Sequence, residues 1–307
     1  MRKHLLFVLV TCIAALAYAE DDVTIEARIY NKKSKGTMPY RILKPANYDL
    51  KKKYPLVMCL HGAGGRGTDN MSRGTEAFIA LSKPEVQKEY PHFLLTPQIP
   101  GDATWHKNVT ENPRHRYIDL ALEVLKDVQK EFSIDPSRIY VTGQSMGGFG
   151  TWYAIETKPQ LFAAAIPICG GGDPGAAQKL KNMPIWVFHG AKDTIISPEK
   201  SRVVVEAIKK RGSKVIKYTE YPDCGHGSWG WHGRKKSLSP GCSNRKSSRR
   251  FSLQRVWDKV CGECGGKQQD LVEQRNAEHA AKREEAERLR AEYRFSEAIG
   301  YTGNHQI

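Results

Sequence analysis

A serine flanked two residues away on each side by glycine, Gly143-Gln144-Ser145-Met146-Gly147, joins an apolar run at 138–142 to a helical pattern over Met146–Thr157. Passing from extended chain to helix in so few residues forces a tight, strained turn, and the glycines remove side chains that would crowd it. The turn lifts the serine hydroxyl above the strand end and leaves the Met146 N–H facing the space beside it. It also constrains the rest of the chain, because the strand must be buried in a sheet and the helix must pack on that sheet. A chance glycine-rich βα turn is the competing reading, and the strand–turn–helix setting disfavours it.

The remaining sequence supplies matching elements. Residues 23–30 and 38–43 alternate apolar and polar like half-exposed strands, and 56–60 is a continuous apolar run ending in a glycine-rich loop. Further strand patterns lie at 93–96, 163–168, 185–189 and 215–219. Residues 117–132 space Ile118, Leu122, Leu125 and Val128 as a helix would, and 198–210 reads as a helix with Ser197 as N-cap and Pro198 first. Strands alternating with helices predict an α/β fold with a mostly parallel central sheet and helices on both faces. Ligand sites of such sheets lie at the carboxyl ends of the strands.

Ser145 needs a base, and the base needs an orienting carboxylate. After a turn of this kind the expected chain order is serine, acid, histidine. Asp193 in HGAKDTII and His226 in DCGHGSW both lie in loops past predicted strands, in that order. His189 and Asp223 compete for the two roles, but His189 ends an apolar run as a structural histidine would, and Asp223 is a fallback acid. The turn His61-Gly62-Ala63-Gly64-Gly65 could supply a backbone donor from Ala63 beside that of Met146, forming an oxyanion hole. It lacks the Gly-Lys-Ser/Thr ending of a phosphate loop. Trp105 and Trp229 are candidate substrate-binding aromatics, with core packing as the rival reading, and Phe149 lies near the same motifs. Arg66 and Asp69 either rim the pocket or form a solvated loop pair, which is the favoured reading.

The segments LHGAGGRGTDN, YVTGQSMGGFGTW, PICGGG, HGAKDTII and YPDCGHGSW together resemble the α/β-hydrolase fold. They are more narrowly similar to secreted esterases and peptidases related to polyhydroxybutyrate depolymerases, feruloyl esterases and prolyl-oligopeptidase-like hydrolases. The resemblance covers about residues 23–229. It implies Ser145 as nucleophile, Asp193 as acid, His226 as base, and Ala63 and Met146 as oxyanion donors. It implies a serine hydrolase acting on carboxylic esters through an acyl-enzyme, with no cofactor and no metal. A serine peptidase, or a non-catalytic binding protein on the same scaffold, is the alternative. The expected substrate is an ester or a short peptide, and no nucleic-acid partner is expected.

Residues 1–19 read as a secretory signal: basic Arg2–His4, an apolar stretch from Leu5 to Leu16, then Ala17-Tyr18-Ala19. The expected protein is therefore secreted or periplasmic, with no stable membrane insertion after cleavage. Beyond Cys12, six cysteines remain: Cys59, Cys169, Cys224, Cys242, Cys261 and Cys264. Export permits disulfides, but buried thiols explain Cys59 and Cys169 equally well, and the lone Cys261-x-x-Cys264 is a weak metal or redox signal.

Charge marks where the pattern changes. Lys+Arg 48 exceed Asp+Glu 33, a net +15 that alone would suggest a polyanionic partner. Yet residues 230–267 carry 10 basic and 2 acidic residues, against 30 and 23 over 20–229. The surplus therefore says little about the catalytic surface. The expected organisation is a signal at 1–19 and a hydrolase domain at 20–229. A basic, Ser-rich linker or aberrant segment follows at 230–267, then a charged helical tail at 268–307.

Overall fold

The computed structural model describes residues 25–228, apart from 71–74, 107, 110 and 111. The chain runs β1 (Ile25–Lys32), β2 (Gly36–Leu43), β3 (Tyr54–Leu60), α1 (Glu76–Leu81), α2 (Pro84–Glu89), β4 (Phe93–Pro97), β5 (Asn108–Val109) and β6 (Asn112–Arg116). It continues α3 (Tyr117–Glu131), β7 (Ile134–Gln144), α4 (Met146–Thr157), β8 (Ala164–Ile168), α5 (Ala177–Leu180), β9 (Ile185–Gly190), α6 (Glu199–Lys210) and β10 (Ile216–Tyr221). The expected basic segment, the charged tail, the signal segment and the Cys261/Cys264 pair lie outside the described residues.

Eight strands form one sheet in the order β1-β2-β4-β3-β7-β8-β9-β10. Pairing is antiparallel from β1 to β2 and from β2 to β4, then parallel from β4 to β10. All eight predicted strand patterns lie in this sheet, with ends displaced by a few residues. The predicted helix at 198 starts at Glu199 instead: Pro198 takes the cap position, and the Ser197 hydroxyl accepts the Glu199 N–H at 3.3 Å. This is the α/β-hydrolase fold anticipated from the motifs.

The unbroken apolar run of β3 follows from burial on both faces. Leu56, Met58 and Leu60 share a core with Leu120 and Val124 of α3, Trp152 and Ile155 of α4, and Val204 and Ile208 of α6. Val57 and Cys59 point the other way, into a core with Ala77, Phe78 and Leu81 of α1 and Val86 of α2. Helix α3 is amphipathic, burying Ile118, Leu120, Ala121, Val124, Leu125 and Val128 along one stripe. Among the described residues no helix is long and apolar enough to cross a membrane.

Strand β3 has β4 on one side and β7 on the other. The chain therefore reverses its direction of travel across the sheet here, and the loops leaving β3 and β7 diverge around a crevice.

Of the three histidines buried among the described residues, His61 and His92 lie away from the β9 and β10 loops, and both are neutral. His61 donates Nδ1–H to Gly62 O at 2.7 Å, while its Nε2 accepts the Ile99 N–H at 3.2 Å. His92 Nδ1 faces Tyr90 O, and Gln87 Nε2 lies 3.1 Å from its Nε2. Burial pulls both imidazoles down to about 4. An unfolded histidine titrates near 6.5, so between that pH and 4 the unfolded chain binds more protons than the folded one. The stability from these groups is complete above about pH 6.5 and lost as pH falls toward 4. The urea midpoint should therefore drop across this window, and by less in a His92→Gln variant. Equal drops in the two proteins would rule out His92 as a source of acid sensitivity.

Candidate active site

Ser145 is the single residue between the end of β7 and the start of α4, and it adopts φ 56°, ψ −120°. A positive φ at a residue with a Cβ costs about 1–3 kcal/mol unless the surroundings hold it. Here the Ser145 N–H donates to Ile168 O at 3.0 Å, and Ser145 O accepts the Phe149 N–H at 3.2 Å. The flanking glycines answer to contact: a Cβ on Gly147 would lie 2.0 Å from Leu60 O, and one on Gly143 would lie 2.4 Å from Gly147 O. Helix α4 is thus pressed backbone to backbone against the end of β3.

Three residues far apart in sequence meet above this turn. The Ser145 hydroxyl lies 2.9 Å from His226 Nε2, and His226 Nδ1 lies 2.8 Å from Asp193 Oδ2. A carboxylate only accepts, so Nδ1 carries the proton and Nε2 is free to accept from the serine. Asp193 sits on the turn after β9 with its side chain wholly buried. Its Oδ1 accepts the N–H groups of Ile195 and Ile196, each at 2.9 Å.

His189, at the end of β9, lies beneath this acid. Its Nε2 is 3.3 Å from Asp193 Oδ2 and 2.9 Å from Ile196 O, while Nδ1 is 2.8 Å from the Ser201 hydroxyl. Burial lowers its pKa, which leaves the ring neutral with Nε2–H directed at the two oxygens. Its contact with the acid was not read from sequence, although the i,i+4 spacing at a strand end is the signal that carries it. Asp223, the fallback acid, instead pairs with exposed Lys192 at 2.9 Å.

The His226 loop is backed by Cys169, which follows β8 at φ 47°. Its Sγ lies 2.6 Å from the Ser228 hydroxyl and 3.5 Å from His226 O. Sequence offered no signal for this contact. Ligand-type atoms of Cys169, Asp193 and His226 lie within 4.8 Å of one another, the arrangement a metal ion could use. Burial, however, pushes the Cys169 thiol up to about 12, so at neutral pH it is protonated and a poor ligand. Cys59 and Cys169 are free and buried, while Cys224 is disulfide-bonded.

The His61–Gly65 loop closes the other side. A Cβ on Gly62 would stand 3.6 Å from Ser145 Cβ, so this backbone borders the serine. Ala63 and Met146 each open a helical turn, where an N–H has no intrahelical acceptor, and neither donates to another described residue.

Of the two readings of Trp105, core packing is the one its burial fits. It is fully buried, its indole N–H donates to His61 O at 3.0 Å, and its ring lies 5.0 Å from that of His61. A side chain with no accessible surface braces the loop from behind and does not meet substrate. Trp229 lies outside the described residues. The expected Arg66–Asp69 pair does not form: Asp69 accepts from Gln98 Nε2 at 3.1 Å, and Arg66 reaches toward Met146.

The family model described as "Putative esterase" matches residues 32–306. The chain is 32% identical over 168 residues to a bifunctional acetylxylan esterase/xylanase of Neocallimastix patriciarum, covering 55% of this chain and 23% of that one. It is 29% identical over 188 residues to poly(3-hydroxyalkanoate) depolymerase C of Paucimonas lemoignei, covering 56% and 40%. It therefore spans less than half the length of these curated relatives. A solved thermostable esterase superposes with a TM-score of 0.60 at 39% identity, covering 67% of this chain and 58% of that one. With the matched region spanning most of its length, the chain belongs to this esterase family and carries its α/β-hydrolase fold.

Proposed function

We propose that the chain is an exported serine hydrolase that cleaves carboxylic esters. The observation that carries this reading is the line of hydrogen bonds from Ser145 Oγ through His226 to Asp193. In this mechanism His226 Nε2 takes the hydroxyl proton as Ser145 Oγ attacks the ester carbonyl carbon. The imidazolium is stabilised by the Asp193 carboxylate. Charge developing on the carbonyl oxygen is met by the N–H groups of Ala63 and Met146. As the tetrahedral intermediate collapses, the proton passes from His226 to the departing alcohol. Water then attacks the acyl-enzyme with His226 again as base, releasing the acid and restoring Ser145.

The sequence reading of 1–19 as a signal supports export, and that of 20–229 supports one catalytic domain. The likeness to an acetylxylan esterase supports acyl esters of plant-cell-wall polysaccharide as substrates, alongside small synthetic esters.

A fluorophosphonate probe should label the protein at Ser145. Ser145→Ala should abolish labelling and lower kcat by about 10⁴-fold or more, and Asp193→Asn should lower it by about 10⁴-fold. Labelling that persists in Ser145→Ala would overturn the nucleophile assignment.

Protonated His226 cannot accept the Ser145 proton, so kcat/KM for p-nitrophenyl acetate should fall in acid. The protein should release acetate from acetylated xylan and leave peptide p-nitroanilides nearly untouched. Faster turnover of the anilides would favour the peptidase reading.

A further inference from the structure

We infer that Arg66 forms an anion-binding subsite beside Ser145, selecting esters that carry a carboxylate within reach of the scissile bond; this deepens, and rests on, the serine-esterase reading above. The arginine follows directly on the loop that borders the serine, and its backbone is fixed on three sides. The Arg66 N–H donates to Ala63 O at 3.3 Å, Gly65 O accepts from Gln98 Nε2 at 3.2 Å, and the Gly67 N–H donates to Ile99 O at 2.9 Å. The side chain is therefore directed by a rigid base, as a binding residue needs.

Its guanidinium is poorly satisfied where it stands. Nη2 lies 3.3 Å from the Met146 sulfur, a weak acceptor, and Nη1 lies 3.4 Å from Gly101 O, a long contact. Nε is buried with no partner at all. No described carboxylate pairs with it, whereas Arg28, Arg116, Arg138 and Arg202 each pair with one.

A half-buried guanidinium whose Nη groups make only weak contacts gains from a stronger acceptor. Met146 directly follows Ser145 in the chain, so the Nη2 contact with its sulfur sets the charge at the border of the serine turn. A carboxylate can accept from the Nη groups, whose present contacts are weak, and such a bond is charge-assisted.

The test compares p-nitrophenyl hydrogen succinate with its methyl ester, which differ only in the free carboxylate. The readout is the ratio of their kcat/KM values in wild type, Arg66→Gln and Arg66→Lys, with fluorophosphonate labelling of Ser145 measured in parallel. Wild type should favour the charged ester, and the preference should shrink in high salt. Arg66→Gln should reduce the ratio by about 10- to 100-fold, while Arg66→Lys should keep part of it. A wild-type protein that labels but shows no preference, or an Arg66→Gln ratio equal to wild type, overturns the subsite and leaves the esterase reading intact. A wild-type protein that neither labels nor cleaves either ester overturns both.

Discussion

The backbone contact between Gly147 and Leu60 O is the constraint on which the site depends. It fixes how far α4 can slide along β7, and therefore where the serine turn points. The same strand end launches the His61 loop, so one close approach sets both walls of the crevice. Because β3 and β7 are neighbours in a parallel ladder, their loops leave the sheet on the same side. An alanine at 147 would have to separate them, and the cost would fall on the catalytic geometry before it fell on the core.

The acid is held differently. Asp193 has no solvent, so its charge is supported by two backbone N–H groups, His226 and the neutral ring of His189. A buried carboxylate so surrounded resists rotation, and this fixes the plane of His226 as well as its tautomer. His226 is braced from behind by Cys169 through the backbone of its own loop. Two neutral side chains, His189 and Cys169, thus hold Asp193 and His226 in place.

Much of this was legible in the sequence because it depends on local pattern. The eight strands follow from apolar runs and, for the first two, from apolar/polar alternation, and the serine turn follows from glycine spacing in a strand–turn–helix setting. The short α1 and α2 were not legible: each is six residues long, too short for a periodic stripe to emerge. For Trp105 the sequence leaves substrate binding and core packing both open, and its burial fits core packing. Proximity to the motifs along the chain does not say on which side of a loop a ring lies, and here it lies inside. Arg66 was judged a surface partner of Asp69, whereas Gln98, from another strand end, takes Asp69 instead.

The pairing of Ser145 with His226 spans 81 residues, and the histidine follows β10, the strand at the edge of the sheet. Edge strands are the first part of a sheet to fray, since they have a neighbour on one side only. Ser145 is seated near the centre of the sheet while His226 hangs from its margin. On the mechanism proposed above, catalytic competence therefore depends on the outermost ladder among the described residues. On that mechanism, local opening of β10 would silence the site while the inner strands stay folded.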